Sequence, residues 1–404
     1  MTINTGVDPR RLPAVDALRG FALLGILVVN SAQMMDPYVV EGIRRPGAPL
    51  WDQAAVWLVT ALATFKFYLL FSFLFGYSFT LQQASAERDG GNATARFLRR
   101  SLGLVLLGLA HAVVLYSGDI LLTYGLLGLI LLCARRIGPA TAVKAAAWIY
   151  GVYVVVLTGL GALATQVDDE EPASHQRIAQ PVAAYRGSPG TVVQENLDRL
   201  PEALLGSLLM APGVLGAFLL GLAAGKRRLL ASGGADRPRL LRITAVGLSV
   251  GIPGALFFAS AADGPLEARW QLLGIGVGML TAPALSAAYA CLLLLLLHSS
   301  WGDRVRRLFV PAGRLALTNY LGQSLITMFV ATAYGLSLYG QVGPAAVLLL
   351  AGAVYALQLA LSTAWTRRHR HGPAEWLLRA ITLAGRPGRA GTPRGPEREA
   401  AQRG

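Results

Sequence analysis

The sequence predicts an all-α, polytopic membrane protein with about ten transmembrane helices and both termini in the cytoplasm. Three observations carry that prediction. The 404 residues are 54% hydrophobic and only 14% charged, about half the charge of an ordinary soluble chain. The apolar residues fall in blocks of about 17 to 29, long enough to cross a hydrocarbon core. The basic residues sit in short loops on alternate sides of those blocks, the positive-inside pattern. That distribution argues against nucleic acid as the reason for the net charge of +14. Strict alternation of the outer-membrane-barrel kind is absent.

The expected spans are 17–35, 54–82, 101–117, 120–134, 143–165, 203–225, 243–261, 272–297, 315–335 and 344–365, the fourth being short. The first follows Arg10 and Arg11, and no small-residue cleavage site follows it. It therefore reads as a retained helix, not a signal peptide. Its run VDALRGFALLGILVVN (Val15 to Asn30) places Arg19 eleven residues before Asn30. Eleven residues are about three turns, so both groups share one face roughly 16 Å apart. A polar stripe is expensive in lipid and should face a cavity or a partner helix. Alternatively, Arg19 only holds the helix end at the cytoplasmic surface.

The second span is long and carries Lys66 deep in TFKFYLLFSFLFGYSF (Thr64 to Phe79). Lys66 needs a partner or water, or it snorkels outward if the span tilts or bends near it. His111 lies well inside the third span, where an imidazole serves as base, nucleophile or hydrogen-bond partner. Ser117-Gly118-Asp119 then turns the chain into the fourth span. Asp119 stands at the outer mouth, as a cap for that span or as a group that orients His111 or a substrate.

Loops 83–100, 135–144, 226–242 and 298–314, with the tail from Arg367, are rich in Arg and Lys. Loop 166–202 contains the acidic run Asp168 to Glu171 and is expected outside, with Arg44 and Arg45 a minor exception on that side. Cys133 ends one helix and Cys291 lies within another apolar run, so no structural disulfide is expected. In the ninth span Asn319, Gln323 and Thr327 recur at i, i+4 and i+8, for interhelical bonding or for lining a cavity. The expected organisation is a cytoplasmic segment 1–16, a transmembrane domain 17–366 and a basic, largely disordered tail 367–404. No Walker A loop or clustered metal-ligand set is seen, and no metal is expected. Buried carboxylates, the usual mark of ion-coupled transport, are almost absent from the spans.

VDALRGFALLGILVVN, KFYLLFSFLFG (Lys66 to Gly76), HAVVLYSGDILLTYGLLGL (His111 to Leu129), GRLALTNYLGQSL (Gly313 to Leu325) and GPAEWLLRAIT (Gly372 to Thr382) together resemble the YeiB-like proteins. That family carries the domain of unknown function 418 in its second half, here about 225–385. The first segment also resembles transmembrane acyltransferases, such as the heparan-alpha-glucosaminide N-acetyltransferase and the acyltransferase-3 proteins. In the latter an arginine precedes a histidine by eleven residues. Here Arg19 matches and Asn30 replaces the histidine, as in the glucosaminide branch, leaving His111 as the intramembrane candidate.

The resemblance implies a plasma-membrane enzyme that moves an acyl group, acetyl above all, from cytosolic acyl-CoA to a hydroxyl or amine acceptor such as a sugar. Arg19, Arg99 and Arg100 would meet the CoA phosphates. His111 would be base or acyl carrier beside Asp119, with Lys66 and Asn30 polarising the thioester carbonyl. Asn319, Tyr320 and Gln323 are the candidate cavity residues. The expected partners are the bilayer and a small acceptor, with no nucleic acid, and a homodimer is allowed. The rivals are a small-metabolite transporter using the same polar face and a scaffold for a neighbouring enzyme.

Overall fold

Proline begins helix after helix in this chain. Pro13, Pro37, Pro139, Pro189, Pro344 and Pro373 each stand at a first helical position, where a missing N–H costs nothing. The computed structural model describes residues 12–88, 90, 92–166, 176–231 and 236–383. The acidic run at 168–171, His175 and the tail from 384 lie outside the described residues. Among those described, the regular elements are helical throughout.

In order they are α1 (Pro13–Met35), α2 (Pro37–Glu41), α3 (Leu50–Leu62), α4 (Lys66–Arg88), α5 (Ala93–Val114), α6 (Leu121–Cys133) and α7 (Pro139–Ala164). There follow α8 (Gln176–Gly187), α9 (Pro189–Lys226), α10 (Arg237–Ala262), α11 (Gln271–Leu297), α12 (Gly302–Arg314), α13 (Ala316–Ala331), α14 (Pro344–Arg368) and α15 (Pro373–Thr382). Eight runs among the described residues are long and apolar enough to cross a membrane, with α3 and α4 counted as one of 39 residues. The other two expected spans, α6 and α13, have 13 and 16 residues. Both are shorter than the ~20 residues a lone crossing needs.

α1 is the most enclosed of the long helices. It packs against α12, α13, α14 and α4, while α4 lies along α9 and α10 along α11. The basic ends meet on one side, where the Lys226 ammonium donates to the carbonyls of Arg135 and Ile137. The positive-inside rule makes this the cytoplasmic end. Two stretches expected as loop or tail fold there. α12 turns Val305, Phe309 and Val310 onto the core and leaves Arg304, Arg306 and Arg307 exposed, as an interfacial amphipathic helix does. α15 buries Leu378, and its Glu375 accepts from the Leu317 and Thr318 amides that open α13. At the outer end, α8 and the first turns of α9 occupy the stretch expected as the outer loop. A Ser188–Thr191 capping box starts α9.

The long second span is broken in mid-course. Residues 63–65 turn between α3 and α4, and Phe65 adopts φ 72. A break strands carbonyls at the end of α3, and in lipid these must be satisfied by protein. Lys66 Nζ donates to Thr60 O at 3.1 Å, and Tyr289 Oη to Leu62 O at 3.1 Å. Ser286 Oγ donates to Lys66 O at 2.6 Å. Lys66 is buried and does not snorkel. Its Nζ sits at the carbonyl end of α3, where the orphan acceptors of the last turn need a donor.

Candidate functional site

A cavity of about 550 Å³ occupies the outer half of the bundle, within the roughly 300–1,000 Å³ of small-molecule sites. It runs from the α3–α4 break, at Thr64 and Phe67, to an outer rim at Arg199 and Glu202. Asn30 and Gln33, three residues apart on α1, form part of its polar wall. Tyr116 continues that wall and donates to Gln33 Oε1 at 2.6 Å. The Asn30 side chain makes no hydrogen bond among the described residues.

Asp119 ends the polar wall. Its Oδ2 accepts from the Leu122 amide at 2.7 Å, in the first turn of α6. Its Oδ1 accepts from Tyr320 Oη at 3.2 Å and lies 3.0 Å from His111 Nδ1. That histidine contact is close but poorly aligned, and neither imidazole nitrogen makes a hydrogen bond among the described residues. Gly108 makes the arrangement possible. A Cβ there would stand 2.3 Å from Leu122 N and 2.5 Å from Asp119 Oδ2. Both side chains of the His111–Asp119 pair are almost wholly buried. Asp119 and Tyr320 line the cavity, whereas His111 stands behind them, its ring 5.3 Å from that of Tyr320.

At the rim, Arg199 pairs with Glu195 at 2.6 Å and with Glu41 at 3.2 Å. Asp36 caps α2 through the Tyr38 amide. Burial pushes the Asp36 carboxyl above the ordinary carboxylate range, against the pull of Arg45 at 3.2 Å.

The other sequence-predicted residues lie apart from this cavity. Arg19 is at the inner end of α1, bonded to Asp16 Oδ1 (2.8 Å), Ser78 Oγ (2.9 Å) and Gly313 O (3.2 Å). Arg100 feels the charges of Arg19 and Glu375, and its buried Nε makes no hydrogen bond among the described residues. Arg99 is exposed beside it on α5. Lys66 serves the helix break and is outside the cavity lining. Asn319 and Gln323 tie α13 to α14. Gln323 Nε2 donates to Gln358 Oε1 at 2.8 Å, and Asn319 Nδ2 to Ser362 Oγ at 3.0 Å.

Sequence reasoning did not single out Gln33, Tyr116 or Arg199. Gln33 had a legible signal, one turn beyond Asn30 on the same face. Arg199 stood among acidic neighbours in a stretch read as loop.

The class this fold and site define is a multi-pass helical membrane protein with a partly polar cavity in its outer half. Residues 11–175 match the family model described as heparan-alpha-glucosaminide N-acetyltransferase, catalytic. Residues 224–385 match the model described as protein of unknown function DUF418. The chain is 33% identical over 394 residues to the uncharacterized protein YxaH of Bacillus subtilis (strain 168), covering 92% of this chain and 94% of that one. It is 29% identical over 405 residues to the uncharacterized protein YeiB of Escherichia coli (strain K12), covering 91% and 95%. The chain belongs to the YeiB-like family, and its first part matches a catalytic model of a membrane acetyltransferase.

Proposed function

We propose that this protein transfers an acyl group, acetyl above all, from cytosolic acyl-CoA to a hydroxyl or amine acceptor held in the outer cavity. The observation that carries the reading is the placement of Asp119. It faces the cavity, backed by His111 and Tyr320, within the stretch that matches the acetyltransferase model. A base must reach the proton it removes, and Asp119 is the member of its cluster with both a carboxylate and cavity access. The acceptor loses its proton to Asp119 as its oxygen or nitrogen attacks the thioester carbon. The C–S bond breaks, and the sulfur leaves with a proton returned through the same cluster. His111 stabilises the proton shared with Asp119. The unpartnered Asn30 amide donates to the carbonyl oxygen as negative charge develops there.

The donor's phosphates belong at the inner end. Arg19, Arg99 and Arg100 would supply cations there, in the forked geometry that suits phosphate. The plasma membrane is the proposed location. A partly polar cavity open at the outer rim is also what an outward-facing transporter would present. The two readings separate on one assay. Purified protein incubated with isotope-labelled acetyl-CoA should release free CoA and yield a labelled acceptor by mass spectrometry. Uptake or efflux by proteoliposomes without CoA turnover would replace this reading with transport.

A further inference from the structure

A second hollow adjoins the cavity. It is an apolar groove of about 360 Å³, lined by Phe21, Leu24, Val28, Tyr289, Leu348 and Gly352. It lies over α1, between α3, α11 and α14, at the depth of the α3–α4 break. Its one polar side chain is already engaged, since the Tyr289 hydroxyl donates to Leu62 O. The groove therefore offers nothing to water and everything to a hydrocarbon chain. Leu62 and Gly352 on its border are exposed, toward the lipid.

Gly25, Ala63 and Phe67 line both the groove and the cavity. Phe67 is thus the partition. Its ring lies against the bare backbone of Gly25, where a Cβ would come within 2.0 Å of it. Phe21 and Tyr289 hold the ring from the groove side, with centroids at 5.3 and 5.5 Å. Beyond the partition stand Asn30, Gln33 and Asp119. A lipid-facing apolar groove thus leads past one ring to a polar-walled cavity.

We propose that the acceptor is a membrane-borne amphiphile, with its hydroxyl or amine head at Asp119 and its hydrocarbon chain in the groove beyond Phe67. Its role as acceptor rests on the acyl-transfer reading, but its binding does not. Binding is therefore what the experiment measures.

Full-length protein is reconstituted in phosphatidylcholine–phosphatidylglycerol vesicles. The probe is a long-chain primary alcohol bearing a mid-chain diazirine and a terminal alkyne. After photolysis, labelled peptides are read by mass spectrometry. Saturable labelling is expected on the peptides that hold Val28 and Phe67. The same chain lacking its hydroxyl should not saturate there.

Gly352→Phe puts a ring on the wall of the groove, at a position where the Cβ itself meets nothing within 4 Å. It should cut the labelling about tenfold with the melting temperature unchanged. Gly159 on α7 is equally open, and Gly159→Phe should change nothing. Labelling that does not saturate, that is equal for the headless chain, or that survives Gly352→Phe means that ordinary lipid fills the groove, and overturns the proposal. Saturable labelling without any CoA turnover keeps the amphiphile site and rejects only the transfer reading.

Discussion

The two ends of α1 treat polar groups in opposite ways. At the inner end, Arg19 is bonded to Asp16, Ser78 and the Gly313 carbonyl. Beyond it, Asn319, Gln323, Gln358 and Ser362 close on one another between α13 and α14. At the outer end, among the described residues, the Asn30 side chain faces a cavity without a partner, and Asp119 faces it beside an imidazole whose nitrogens form no well-aligned bond. The residue types are similar. What differs is spare hydrogen-bonding capacity next to open space, and Arg19, with its side chain 22% exposed, stands between the two cases. A buried polar group with every valence filled fixes helix packing, whereas one with a valence to spare at a cavity wall is available to a ligand.

Removing the base should break this contrast most sharply. Asp119→Asn keeps an oxygen for the Leu122 amide but cannot take a proton. Acyl transfer, followed with labelled acetyl-CoA, should fall by about 10²–10⁴ with little loss of melting temperature. Normal turnover in this variant would move the chemistry away from the outer cavity.

His111 comes next. Both His111→Ala and His111→Gln should lower turnover by about a hundredfold while CoA binding stays near normal. A histidine needed only for packing gives another pattern, with glutamine restoring activity and alanine lowering the melting temperature. Rate and melt measured together on both variants tell the two apart.

The inner end should answer to binding rather than chemistry. Arg19→Ala is expected to weaken CoA binding about tenfold and Arg19→Lys less, since a guanidinium grips phosphate in a fork and an ammonium does not. Calorimetric titration of detergent-solubilised protein reads this directly. Unchanged affinity in a folded Arg19→Ala protein would make Arg19 a packing and topology residue only.

The smallest functional effect belongs to the closed network. Gln323→Leu leaves Gln358 Oε1 without its donor, at a cost of about 1–3 kcal/mol. Thermal unfolding should register that loss while the transfer rate stays at its wild-type value. A fall in rate without a fall in stability would place the network within the site.

The ten apolar blocks and their loop charges made the membrane-spanning bundle legible, because lipid demands length and apolar composition from each crossing. The length of the second span allowed a bend near Lys66. Which groups would satisfy the broken turn was not legible, because Ser286 and Tyr289 lie more than 200 residues downstream. His111 and Asp119 were legible as neighbours across a turn. Tyr320 became their neighbour only through the packing of α13, 201 residues from Asp119. The period of Asn319 and Gln323 marked a polar face, but a period does not say whether that face meets another helix or a cavity. α15 was missed because ten residues with a basic flank resemble a tail until Glu375 and Leu378 find their partners.

The mid-membrane break also bears on how the chain is assembled. A ribosome delivers α3 and α4 long before α11, and the earlier part of a chain begins to fold first. Until α11 arrives, the carbonyls of Leu62 and Lys66 lack the Tyr289 and Ser286 hydroxyls that complete the turn. The turn that floors the cavity is therefore completed by side chains from both family-model regions, so neither region holds it alone.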